Sequence, residues 1–333
     1  MINELKSTAC EASRFAVAPM MDWTDRHCRY FHRLLTTKTL LYSEMVTATA
    51  LVRGGARHLL AFDPAEQPVA LQLGGADPAE LAQAARIGAD EGYGEINLNV
   101  GCPSDRVQSG CFGAALMREP QRVADCLEAM ARASTAEITV KCRIGVADQR
   151  PEEVLPDFLE RMRAAGVRRV IIHARKAWLQ GLSPKENREV PPLNYPLVLA
   201  MKTAFPDLIL CINGGIDTID QAQEFLAAGL DGVMIGRAAY HHPAAILAGA
   251  DRRLFGAPVP DADPFDVARA MRPYIARHLA AGGRLGAVTR HMLGLFSGRP
   301  GARAWRRALS EAPGGGLDDY DRALDALVAR IAA

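Results

Sequence analysis

The chain has 333 residues, 49% of them hydrophobic and 23% charged, enough apolar material for a full core in one large domain or two, which argues against intrinsic disorder. Lys and Arg number 39 against 38 for Asp and Glu, so the formal charge of +1 gives, on average, no sign of a polyanionic partner. Seven scattered cysteines with no C-x-x-C pair speak against a disulfide framework or a zinc ribbon and for a reducing compartment.

In chain order, residues 1–14 carry Glu4, Lys6, Glu11 and Arg14 without an apolar h-region. No later run reaches the roughly 18 apolar residues of a membrane helix, so a soluble cytoplasmic protein with no membrane partner is expected. Short β-branched apolar runs follow at 15–19, 41–46, 68–73, 95–101, 137–143, 169–175, 208–213 and 232–237. Amphipathic stretches separate most of them; before two of these, Asp77 and Asp217 stand as candidate caps, with Glu80 and Asp220 in the first turns. Eight strands, each followed by a helix or long loop over about 240 residues, predict an α/β fold of the TIM (β/α)8 barrel type; a doubly wound sheet would not usually need eight units. After the Pro-rich stretch 258–264 the strand-like runs stop. Ala, Leu and Arg recur at helical spacing, broken at 282–283, 299–301 and 313–316, which predicts a small C-terminal all-helical bundle. The expected division is a barrel over 1–257 and a helical unit over 264–333.

Barrels of this kind build their sites at the C-terminal strand ends, and those ends are unusually polar here. Strand one ends in Pro19-Met20-Met21-Asp22, strand three in Gln72, and strand four in Asn97-Leu98-Asn99-Val100-Gly101-Cys102-Pro103. Strand five carries Lys141 and Arg143, strand six ends in His173-Ala174-Arg175, strand seven in Asn213-Gly214-Gly215 and strand eight in Gly236-Arg237. The two glycine loops sit where many barrels bind a phosphate through backbone N–H groups, with Arg237 as a forked cation, although tight turns alone would also call for glycine. Lys141 and His173, on adjacent strands, suit an anionic cofactor ring such as a reduced flavin; a Schiff-base role for Lys141 is the rival. Cys102, held on a turn between Gly101 and Pro103, can serve as a general acid, because a thiol of ordinary pKa is mostly protonated at neutral pH. Cys111, in Ser109-Gly110-Cys111-Phe112-Gly113-Ala114, reads as structural. No metal site is expected.

Taken in order, these segments closely resemble the tRNA-dihydrouridine synthases. The resemblance is carried by Ala18-Pro19-Met20-Met21-Asp22-Trp23-Thr24-Asp25, Ile96-Asn97-Leu98-Asn99-Val100-Gly101-Cys102-Pro103-Ser104, Lys141-Cys142-Arg143-Ile144-Gly145, His173-Ala174-Arg175, Ile212-Asn213-Gly214-Gly215-Ile216 and Met234-Ile235-Gly236-Arg237. Residues 175–188 and 291–296 look like the A subfamily in particular. The likeness implies reduction of the C5–C6 double bond of uridine in the D-loop of tRNA, at positions 20 and 20a, with bound FMN and with NADPH as reductant. By motif, Pro19, Met20 and Met21 would border the flavin, with Gln72, Lys141 and His173 in contact with it. Asn213, Gly214, Gly215, Gly236 and Arg237 would hold its phosphate. Hydride would pass from reduced FMN to C6, Cys102 would donate the proton to C5, and Asn99 would bind the flipped uracil.

Such a substrate needs a large cationic grip. From Pro264 onward there are 11 basic residues, all Arg, against 6 acidic, and 28 against 32 in the rest of the chain. Arg299, Arg303, Arg306 and Arg307 gather near one helix start, where Trp305 is placed to stack or to pack. Arg303 and Arg306, with Lys185 and Arg188 after strand six, are the expected tRNA contacts; no obligate protein partner is evident. Three alternatives remain at this level: a flavin reductase of free pyrimidines on the same barrel, a cofactor-free aldolase using Lys141, and an RNA-binding barrel without catalysis.

Overall fold

The computed structural model describes residue 9 and residues 11–104 and 112–332. Cys111 therefore lies outside the described residues. All eight expected runs are strands: β1 Phe15–Val17, β2 Leu40–Thr47, β3 Val69–Gly74, β4 Glu95–Val100, β5 Glu137–Arg143, β6 Arg169–His173, β7 Ile209–Asn213 and β8 Gly232–Ile235. They pair in parallel and in sequence order, and β8 returns to β1 to close the barrel. β1, β6 and β8 end two residues short of the predicted runs, because their last residues leave the ladder at the mouth, Arg237 to start the helix that follows.

Among the described residues the α-helices that follow β1 are α1 Arg26–Leu35, α2 Ala48–Val52, α3 Pro78–Asp90, α4 Pro120–Ala133, α5 Pro151–Ala164, α6 Tyr195–Ala204, α7 Ile219–Ala227, α8 Arg237–His241, α9 Pro243–Leu247 and α10 Ala250–Phe255. After them come α11 Pro264–Ala280, α12 Leu285–Thr289, α13 Ala302–Glu311 and α14 Leu317–Ala332, with the three predicted breaks between them. Asp77 caps α3 as expected, accepting from the Glu80 N–H at 2.8 Å. At α7 the cap is Thr218 rather than Asp217. The Thr218 hydroxyl accepts from the Gln221 N–H, and the Gln221 side chain reaches back to the Thr218 N–H. That spacing satisfies two helix-start donors reciprocally, which an Asp one residue earlier would not do.

Alternation along the strands divides the barrel into two layers. Ala16, Leu40, Tyr42, Ala70, Ile171, Cys211 and Met234 form one small apolar cluster, the barrel interior. Their neighbours Val17, Leu41, Leu71, Ile172, Ile212 and Ile235 belong to the main core beneath the helices, which continues through Val267, Ile275, Phe296 and Tyr320 into the C-terminal helices. Trp305 packs into that core, 1% exposed, with Nε1 donating to the Met292 carbonyl at 3.0 Å. Gly294 is required where the chain passes helix α8, since a Cβ there would overlap the His241 carbonyl.

One carboxylate ties the mouth loop after β1 to the C-terminal helices. Asp25 caps α1 through the N–H groups of His27 (2.9 Å) and Cys28 (3.0 Å), and it accepts from Arg290 (2.6 Å) and His291 (3.1 Å). Burial alone would raise its pKa; the hydrogen bond and charge of His291, the Cys28 N–H and Arg290 outweigh burial and hold the carboxyl well below its ordinary value. A depressed folded pKa means that the contribution is complete above the unfolded value of 3.8 and is lost as pH falls below it. Asp25→Asn is expected to lower stability by about 1.5–3 kcal/mol at neutral pH. In urea unfolding, the gap from wild type should narrow as pH falls below that value; a gap independent of pH would rule out this ion cluster as its source.

Candidate active site

The strand ends open into a cavity of about 1070 Å³, at the upper end of the range of small-molecule sites and roomy enough for more than one heterocycle. Pro19, Met20, Met21, Gln72, Asn99, Cys102, Lys141, His173, Arg188, Asn213, Gly214, Gly215, Gly236 and Arg237 all line it. Lys185, Arg303 and Arg306 do not; all three are exposed elsewhere on the surface.

Strand register explains the convergence. Asn99 pairs with Lys141, and Arg143, His173 and Asn213 pair in turn across β5, β6 and β7, so these side chains share the top layers of the barrel. The Lys141 ammonium donates to Asn213 Oδ1 at 2.9 Å, and Asn213 Nδ2 donates to the Met234 carbonyl at 2.8 Å. Asn213 therefore aims Lys141 and has one N–H left. Burial, then the neighbouring Arg143, lower the Lys141 pKa to about 8, which still leaves it mostly protonated at neutral pH. Burial and the charges of Arg143, Lys141, Arg175 and Arg188 push His173 well below its usual value. That direction favours the neutral imidazole, with Lys141 as the cation beside it.

A continuous hydrogen-bonded column runs through the barrel to the Cys102 loop. Glu95 Oε1 accepts from Thr139 (2.7 Å), Asn97 donates to Thr139 (2.8 Å), Gln72 to Asn97 (2.9 Å) and Asn99 to Gln72 (2.8 Å). Asn99 Oδ1 then accepts from the N–H groups of Gly101 (3.0 Å) and Cys102 (2.9 Å). Arg143 Nε fixes the Gly101 carbonyl at 3.1 Å, and Cys102 Sγ lies 3.4 Å from the Ser104 hydroxyl. The other four described cysteines are buried and unpaired, so Cys102 is the one among them that reaches the cavity.

Gly214 and Gly215 have φ of +108° and +67°, and a Cβ on Gly214 would run into the His173 ring. Backbone conformation and close approach each demand glycine here, and among the described residues neither N–H meets a protein acceptor. Arg237 pairs with Glu189 at 2.6 Å, at the start of α8, a helix of only five residues. In the first-strand turn, Asp22 holds φ +64° with its N–H on Glu44, which sets Met20 and Met21 at the rim. Tyr195, whose hydroxyl holds the Gly214 carbonyl at 2.7 Å, was not legible as a site residue, nor was Asp25, which lines the cavity. Arg143 did carry a signal: it shares a strand face with Lys141 at a spacing of two.

A second cleft, of about 450 Å³, opens at the start of α13 and is lined by Arg299, Arg303, Arg306 and Arg330. Six of the eleven C-terminal arginines are ion-paired: Arg269, Arg272, Arg277, Arg290, Arg307 and Arg322. Among the described residues the four around this cleft have no such partner, so their charge is available.

The family model for dihydrouridine synthase matches residues 16–321. The tRNA-dihydrouridine(20/20a) synthase of Salmonella typhi is 57% identical over 312 residues, 93% of each chain. That of Escherichia coli (strain K12) is 58% identical over 301 residues, 90% of this chain and 86% of the other. Among solved structures, the old yellow enzyme homologue from Zymomonas mobilis is 14% identical with a TM-score of 0.49, over 74% of this chain and 90% of that one. A family model reaching from the first barrel strand into the last helix, with relatives more than half identical over nine-tenths of the length, shows that this chain belongs to the dihydrouridine synthase family.

Proposed function

We propose that the protein reduces the C5–C6 bond of uridine at positions 20 and 20a of tRNA, in the cytoplasm, with FMN as bound cofactor and NADPH as reductant. The observation that carries this reading is one cavity in which a half-buried thiol on a pinned loop faces a lysine, a histidine and two glycine N–H groups without protein acceptors. Those groups fit a flavin. Gly214 and Gly215, with Gly236 and Arg237 beside them, are the candidate phosphate cradle, and Lys141 is placed to meet negative charge on the ring. Gln72 and His173 complete the contacts, Pro19 to Met21 form the border, and Asn213 orients Lys141. An anion bound beside Lys141 and His173 would raise both pKa values, so cofactor charge and proton uptake are coupled at this site.

The flavin, when bound, supplies the hydride for C6. Charge left on the uracil delocalises toward the C4 carbonyl, and Cys102 delivers the proton to C5. Asn99 holds the Cys102 loop through Oδ1 and keeps one amide hydrogen for the base. The target must leave the RNA stack to reach the barrel mouth. Arg188 at the rim, Lys185 on its loop and the free arginines of residues 264–333 are the proposed contacts to tRNA phosphates, which makes that helical unit the tRNA grip and 1–257 the catalytic barrel. A reductase of free pyrimidines has no use for such a cleft.

The test is incubation of the protein with FMN, NADPH and unmodified tRNA, followed by mapping of dihydrouridine. Product at 20 and 20a is expected; its absence overturns the reading. The tRNA affinity should fall steeply with salt, and replacing Arg303 and Arg306 together by alanine should flatten the slope of log K against log salt by about 1–2. An unchanged slope would move the grip elsewhere.

A further inference from the structure

The loop after β6 is built around its own backbone. Asn187 is fully buried and spends its whole amide there: Oδ1 accepts from the Trp178 N–H (2.7 Å), and Nδ2 donates to the carbonyls of Trp178 (2.9 Å), Leu182 (3.0 Å) and Ser183 (3.3 Å). Arg143 fastens the loop to the mouth. It donates to the carbonyls of Lys176 (3.2 Å) and Asn187 (3.0 Å) while its Nε holds Gly101 beside Cys102. Pro184 and Arg188 of the same loop line the main cavity.

What this scaffold presents to water is an indole. Trp178 is 43% exposed, and the Lys176 ammonium lies 5.6 Å from its ring centroid. A lone exposed aromatic on a loosely held loop would need no explanation. Here the backbone that carries the indole is pinned by a saturated buried amide, its neighbour Lys176 by a buried guanidinium, and the same loop sends Pro184 and Arg188 into the cavity. A uridine drawn into that cavity leaves its flanking nucleotides without a stacking neighbour, and unpaired RNA bases are recognised by stacking on aromatic side chains.

We propose that Trp178 is a stacking platform for an unpaired nucleobase flanking the target uridine, with Lys176 set against the adjoining phosphate and with Asn187 and Arg143 as positioning residues. The inference rests on the reading of the substrate as tRNA and adds a base contact outside the cavity. An apolar protein surface fits less well, because Lys176, Lys185 and Arg188 share the loop.

Trp178→Ala and Trp178→Phe are to be compared with the wild-type holoenzyme on unmodified tRNA. The alanine variant should raise KM for tRNA about 5- to 100-fold, with kcat at saturating tRNA and NADPH-driven flavin reduction unchanged, and phenylalanine should restore most of the loss. Quenching of indole fluorescence by tRNA should be strong in wild type and reduced in Trp178→Ala, the remainder coming from Trp23, which lines the cavity, since Trp305 is buried. Unchanged KM with undiminished quenching in the alanine variant overturns the platform. A wild-type enzyme that makes no dihydrouridine overturns instead the substrate reading beneath it, so the two failures are told apart in the wild-type arm.

Discussion

Replacing Cys102 by alanine is expected to slow uridine reduction by about 10²–10⁴-fold, the range set by removal of a positioned general acid. Binding of tRNA and reduction of the flavin by NADPH should be unaffected, since neither uses the thiol. The expectation rests on placement. The Cys102 N–H is held by Asn99, its carbonyl accepts from the Ala114 N–H at 2.9 Å, and the preceding carbonyl is held by Arg143, so the side chain leaves a rigid turn into the cavity. Hydride transfer without a proton donor leaves charge on the uracil that water must quench, and water has no fixed position there. Single-turnover reduction of tRNA by the pre-reduced enzyme isolates this step. A rate in Cys102→Ala within a few-fold of wild type would remove the thiol from the mechanism.

Arg169→Met is expected to destabilise the protein by about 3–5 kcal/mol, the cost of leaving buried charge uncompensated. Arg169 is fully buried at the start of β6, and its Nη2 donates to Glu95 at 2.7 Å and to Glu137 at 2.6 Å, at the starts of β4 and β5. Tyr42 and Thr139 donate to the other Glu95 oxygen. Removing the guanidinium takes the cation from two buried carboxylates. The triple variant Glu95→Leu, Glu137→Leu, Arg169→Met should recover part of the loss, because apolar replacements carry no charge to desolvate while the Tyr42 and Thr139 hydroxyls lose their acceptor. Urea unfolding of both variants checks this, and a single variant within about 1 kcal/mol of wild type, the ordinary range for point substitutions, would show that the triad is not a main support. Arg169 lies at a strand start, opposite the mouth, so kcat of Arg169→Met should hold, whereas Glu95 also anchors the hydrogen-bonded column that ends at the Cys102 loop.

The two sites differ in how far they could be read ahead of the fold. Buried parallel strands are nearly continuous apolar runs, so 169–173 or 209–213 stand out locally, and polar residues at their ends mark the mouth of a barrel wherever it closes. Lys141, His173 and Cys102 were legible for that reason. Arg169 was not, because an arginine opening an apolar run looks like a solvated strand start until β4 and β5 bring Glu95 and Glu137 to it. Asn99 and Asn213 were legible as members of the mouth, but their commitments were not: one amide holds the Cys102 loop and the other aims Lys141.

Charge shows the same division. Composition places an excess of arginine after Pro264, yet it cannot say which charges are available. Arg290 finds Asp25 across 265 positions, and Arg272 finds Asp321 across 49, while Arg299, Arg303, Arg306 and Arg330, without such partners among the described residues, line a cleft. Periodicity reports burial, a property each element carries along its own length. Hydrogen bonds and ion pairs act over about 3 Å, between atoms brought together by strand register and helix docking, and those distances exist only once the barrel has closed and the C-terminal helices have packed against α1.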